Sequence, residues 1–178
     1  MPRRLHRLSD GGIPSRGGIA SGRGFSIVEI MVALTIISLL VAAAIPQVKK
    51  YQVNSRAAVV ASDLRTFAAA FESYSQEKGA WPAETDAGAL PPEMTERLGA
   101  SSWGRVTPMG GRYNWENNQM HGGVRYRAAL SISEAEGAPL EVNEDLLRAI
   151  DRIIDDGNLS TGLFRTGVNN DPLYILLQ

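Results

Sequence analysis

The sequence predicts an α+β fold: one long N-terminal helix, a small antiparallel sheet and a short second helix. Three observations predict it. Val53, Ala57, Val60, Leu64, Phe67, Phe71 and Tyr74 recur at alternating spacings of four and three, the stripe of an amphipathic helix. Val124, Tyr126, Ala128, Leu130 and Ile132 alternate with Arg125 and Arg127, the pattern of a half-buried strand. Leu146, Leu147, Ile150, Ile153 and Ile154 share one face behind an acidic first turn, which marks a second helix.

The first helix runs from about Ser26 to Lys78 and has two characters. Phe25 to Ile45 is apolar all round, and at 1.5 Å per residue it rises roughly 30 Å, the thickness of a hydrocarbon core. Ser26, Thr35 and Ser38 fit there because their hydroxyls can bond back to helix carbonyls. Beyond it Lys49, Lys50, Arg56, Asp63, Arg65 and Glu72 lie largely off the apolar stripe. Pro46 lacks an N–H, so it removes one helix bond and predicts a kink or local melting.

Gly79-Ala80-Trp81-Pro82 stops the helix, and Glu93 to Leu98 reads as a short helical turn after a loop. Arg112–Glu116 and Val124–Ser131 form a hairpin whose turn is bracketed by Asn117-Asn118 and Gly122-Gly123. Asn143 caps the helix over Glu144–Asp155, which Gly157 stops. Leu163–Arg165 and Tyr174–Leu177 close the sheet. Trp81, Trp103, Tyr113 and Trp115 are either core or a contact surface toward other subunits.

The 178 residues suit one domain with an N-terminal extension. Arg3, Arg4, Arg7, Arg16 and Arg23 against Asp10 give the segment through Gly24 a charge of +4, which leaves −5 on the rest of a chain of net −1. A basic leader of this kind stays cytoplasmic while the remainder crosses the membrane. The acidic remainder disfavours nucleic-acid binding, which needs clustered Lys and Arg. There is no cysteine, and the only histidine after the leader is His121, placed by its neighbours in a turn. No zinc set, nucleophile–base pair, phosphate loop or metalloprotease spacing occurs, so the chain is expected not to be an enzyme.

Glu29 is the one charge in the apolar run, five residues after Gly24. A carboxylate there costs roughly 2.5–3.5 kcal/mol on insertion scales and needs a positive partner. An α-amino group newly cut at Phe25 supplies one. Gly24-Phe25-Ser26-Ile27-Val28-Glu29 resembles the processing site of type IV pilins and of the pseudopilins of type II secretion. The resemblance implies cleavage by prepilin peptidase between Gly24 and Phe25, N-methylation of Phe25, and pairing of Glu29 with the amino terminus of a neighbouring subunit. It places Pro46 where the family often has a kinking proline. Lys78 to Pro82 resembles the helix exit of major pseudopilins. Many type IV pilins carry a C-terminal disulfide, so the absence of cysteine tilts the resemblance toward pseudopilins.

The chain then divides into a leader over 1–24, a transmembrane and polymerisation helix over 25–46, and a periplasmic pilin-like domain over 47–178. It is expected in the bacterial inner membrane as a single-pass protein, with partners in prepilin peptidase, the inner-membrane assembly platform, other copies and other pilin-like subunits. The leading reading is a pseudopilin that builds a periplasmic fibre for protein export. Its rivals are a type IV pilus or DNA-uptake minor pilin and, in another class, an anchored binding domain or enzyme.

Asp151, Asp155 and Asp156, with Asn158, form an acidic group at the end of the second helix, where the helix dipole disfavours negative charge. Ca²⁺ would relieve that repulsion, and major pseudopilins carry calcium in their C-terminal region. Asn169, Asn170 and Asp171 are candidate second contributors. The alternative is an ordinary solvated turn over Asp156-Gly157-Asn158.

Overall fold

The computed structural model describes residues 24–168 and 171–178. The leader before Gly24, with its expected removal, and Asn169 and Asn170 lie outside the described residues. The chain falls into two compact units, one ending at Ala42 and one spanning Ala43–Gln178.

Helix α1 covers Ile27–Lys78. Among the described residues it is the one helix with an apolar stretch long enough to cross a membrane, and none of that stretch is buried. From Ala57 the helix changes character, and Ala57, Val60, Ala61, Leu64, Phe67, Ala68 and Phe71 are buried on one face. The helix runs unbroken through Pro46, so the expected local melting does not occur. One missing N–H removes a single bond, and the flanking turns keep theirs.

A 3₁₀ turn over Pro92–Met94 and a short helix α2, Ala100–Trp103, precede the sheet. Strands β1 (Arg112–His121), β2 (Val124–Ser133), β3 (Phe164–Thr166) and β4 (Pro172–Leu177) pair antiparallel in the order β1-β2-β4-β3. Pro172 opens its strand, a position where the missing N–H is tolerated. Helix α3 spans Glu144–Ile154.

One local expectation is corrected. Strand β1 continues through Asn117 and Asn118 to His121, so the turn is the pair Gly122-Gly123 alone, with φ of 57° and 82°. Two glycines at positive φ match the twist of a two-residue hairpin. Asn118 does take a positive φ of 59°, the trait that marks turn residues, but does so inside the strand. Trp103 belongs to α2, a single turn too short to carry a periodic pattern.

The aromatic group is core. Phe71 stacks on Trp115 with centroids 4.2 Å apart, and Phe67 meets Tyr113 edge-on at 4.9 Å and Trp103 at 5.1 Å. Trp103, Tyr113 and Trp115 are fully buried. Their polar atoms are satisfied, as burial requires: the indole N–H groups of Trp103 and Trp115 donate to the carbonyls of Ala89 and Pro82, and the Tyr113 hydroxyl donates to Asp63.

Asn143 caps α3, its side-chain oxygen accepting the N–H of Leu146 at 3.2 Å. Asn143→Ala is expected to lower stability by about 1 kcal/mol. A urea unfolding curve with an unchanged slope and an earlier midpoint would show it; an unmoved midpoint would refute the cap's contribution.

Candidate functional site

Gly24 is exposed and outside the helix, and a Cβ added to it would meet nothing within 4 Å. It is not among the described glycines with positive φ. Among the described residues, neither backbone conformation nor packing asks for glycine there.

Ser26 starts α1, its carbonyl accepting the N–H of Ile30 at 3.2 Å and its hydroxyl accepting that of Val28 at 3.3 Å. Glu29 falls in the first helical turn, where unsatisfied N–H groups favour negative charge. Its neighbours Phe25, Ile27, Val28, Ile30 and Met31 are all exposed apolar side chains. The hydroxyls of Thr35 and Ser38 donate to the carbonyls of Met31 and Leu34, each at 2.8 Å, so the apolar stretch carries no loose donor at either residue.

The acidic cluster forms a second site. Asp151, Asp155 and Asp156 bring carboxylate oxygens within 4.8 Å of one another. Their surroundings differ. Asp155 follows the last residue of α3, and its carboxylate accepts the backbone N–H groups of Asp156, Leu163 and Phe164. Asp156 accepts the N–H of Asn158 and the hydroxyl of Thr161, each at 2.8 Å. Asn158 turns its side-chain oxygen to the N–H of Ser160. Gly162, at φ 76°, closes the loop so tightly that a Cβ would overlap the Asp155 carboxylate.

Asp151 is fully buried, and neither of its carboxylate oxygens has a hydrogen-bond partner. Burial, then the neighbouring Asp155 and Asp156, push its pKa up to about 7. For Asp155, burial acts upward but is outweighed by the adjacent Asp151 carboxyl and the three N–H groups, so it is held below its usual range. The arrangement suits one proton on Asp151 facing an ionised Asp155. Ca²⁺ takes six to eight oxygens, and of the three carboxylates gathered here those of Asp155 and Asp156 also accept N–H and hydroxyl groups of the loop. Asp171 is not part of the cluster; it faces Ser133, with Glu116 and His121 nearby.

His121 departs from the expected turn position and ends β1. Its side chain is only 12% exposed, with Nε2 3.5 Å from the carboxylate of Glu116. Glu116, itself buried, accepts from Ser131 at 2.7 Å and Asn114 at 2.8 Å. The Val168 N–H donates to Nδ1 of His121 at 3.4 Å. Glu116 and Asn114 lie on the same strand as His121, while Ser131 comes from β2 and Val168 from the loop before β4, and no local signal announces those two.

No curated protein matches the chain. A solved structure of the major type IV pilin from Clostridium difficile is similar at 21% identity, covering 71% of this chain and 97% of that one, with a TM-score of 0.47. Residues 20–45 match the family model described as the prokaryotic N-terminal methylation motif. Gly24, Phe25 and Glu29 all fall within the matched residues. The chain carries a prepilin-type N-terminal methylation motif at the head of its long apolar helix.

Proposed function

We propose that this protein is a prepilin-type structural subunit, and specifically a type II secretion pseudopilin. Prepilin peptidase cuts between Gly24 and Phe25, and Phe25 is N-methylated. The chain is held in the inner membrane by the first half of α1, with residues 47–178 in the periplasm. At the assembly platform it joins other copies or related subunits through that helix. The observation that carries this reading is Glu29: a single carboxylate in a stretch of exposed apolar side chains, inside the matched methylation motif. In hydrocarbon it needs a cation, and the freed amino group of an adjacent subunit is the one the motif would create.

Intact mass and N-terminal sequencing of the protein recovered from membranes test the processing step. The expected chain starts at N-methylated Phe25. An uncut chain, or a cut near Ala42–Ala44, would sink the reading in favour of an anchored or secreted domain. The assignment to secretion rather than to a surface pilus rests on the absence of cysteine and on the helix exit at Lys78–Pro82. Shearing cells separates the two: a pseudopilin stays with the envelope, whereas a pilus subunit appears in the sheared fraction.

A second role concerns the acidic cluster. The unpartnered oxygens of buried Asp151 support an occupant, and a proton shared with Asp155 supplies it. Calcium is the competing occupant.

A further inference from the structure

Beside the first part of the domain, α1 and α3 line a half-open cavity of about 320 Å³ whose lining includes Lys49, Lys50, Arg148 and Arg152. These are four of the thirteen lysines and arginines that follow Gly24, gathered in one place on a stretch of chain whose net charge is negative. The single carboxylate in the lining is that of Asp145. Arg148 is paired with Glu144. Among the described residues Lys49, Lys50 and Arg152 make no salt bridge.

The position of the cavity along the helix points to its ligand. Ile45 and Val48 end the exposed apolar stretch, and Lys49 follows Ile45 by four residues, about 6 Å of helix rise. The headgroup layer extends roughly 5–7 Å beyond the hydrocarbon on each side of a bilayer. Tyr51, 71% exposed, stands at the same level, where amphipathic rings favour the membrane interface. Guanidinium forks and lysine point charges are the groups that hold phosphate oxygens.

We propose that this cavity binds the phosphate of an anionic phospholipid headgroup in the membrane that α1 crosses. The proposal rests on the membrane placement argued above. The bound headgroup holds α3 against the bilayer surface while the subunit waits in the membrane.

The test uses the full chain purified in a non-ionic detergent and offered phosphatidylglycerol and phosphatidylcholine in equal amounts, with retained lipid read by native mass spectrometry. Wild type is expected to retain phosphatidylglycerol about tenfold over phosphatidylcholine. Arg148→Gln with Arg152→Gln, and separately Lys49→Gln with Lys50→Gln, should each remove most of that preference without altering alkaline extraction from membranes. Equal retention of the two lipids by wild type overturns the proposal, as does an undiminished preference in both double variants. Displacement of the lipid by millimolar inorganic phosphate would mean a free-anion site and would also overturn it. So would a charge-dependent dimer that excludes lipid, because the occupant is then a second copy. Release of wild type by alkaline extraction is a separate result: it removes the membrane placement itself, and the lipid site with it.

Discussion

Glu29→Leu is expected to leave cleavage after Gly24 intact and to reduce subunit-to-subunit crosslinking in membranes by roughly a hundredfold or more. Leucine suits the bilayer better than glutamate, so the variant inserts at least as well as wild type. On the proposed assembly role, what it loses is the partner for a buried ammonium. Leaving one half of a buried ion pair uncompensated costs about 3–5 kcal/mol, and each 1.4 kcal/mol is tenfold in association. The leucine control separates this from hydrophobicity, because Glu29 is exposed among apolar neighbours and supports no packing in the monomer. Equal crosslinking in the variant and wild type, with normal processing, would refute the assembly role of Glu29.

Asp151→Asn is expected to stabilise the protein at pH 8 and to change it little at pH 4. The folded chain holds the Asp151 carboxyl at about 7, against about 3.9 for an unfolded aspartate. The folded state therefore binds this proton more tightly, and the stability it contributes is full below pH 4 and is lost as pH rises through 7. Asp155 acts oppositely, its lowered pKa contributing above the ordinary carboxylate range and failing as pH falls. Asparagine keeps a donor toward Asp155 and has no proton to lose. The gain at pH 8 is of order 2–4 kcal/mol, which is several degrees or more in Tm. Thermal unfolding of the full chain at both pH values, with and without millimolar calcium, checks it. If calcium raises the Tm of wild type at pH 8 and asparagine lowers it, the cluster is a calcium site and the shared proton is wrong.

Much of this was legible locally. The apolar stripe from Val53 to Tyr74 is buried or half-buried as its spacing implies, and Asn143 caps α3 as its place before two acidic residues implies. The core role of the aromatics, one of two readings open in the sequence, needed the partners Phe67 and Phe71 to decide it. The extension of β1 across Asn117 and Asn118 was hidden because residue preference marks a turn while strand pairing with Ala128 and Tyr126 overrides it.

The sequence by itself determined the methylation motif, the two halves of α1, and the elements of an α+β domain. These depend on residues near one another along the chain, where helix and strand periods act directly. Only the tertiary structure decided the strand order, the burial of His121 against Glu116, the unpartnered state of Asp151, and the meeting of Lys49 and Lys50 with Arg148 and Arg152. Each joins groups to a closed environment or to partners distant in sequence, and solvent exclusion and charge proximity arise only when the chain has packed.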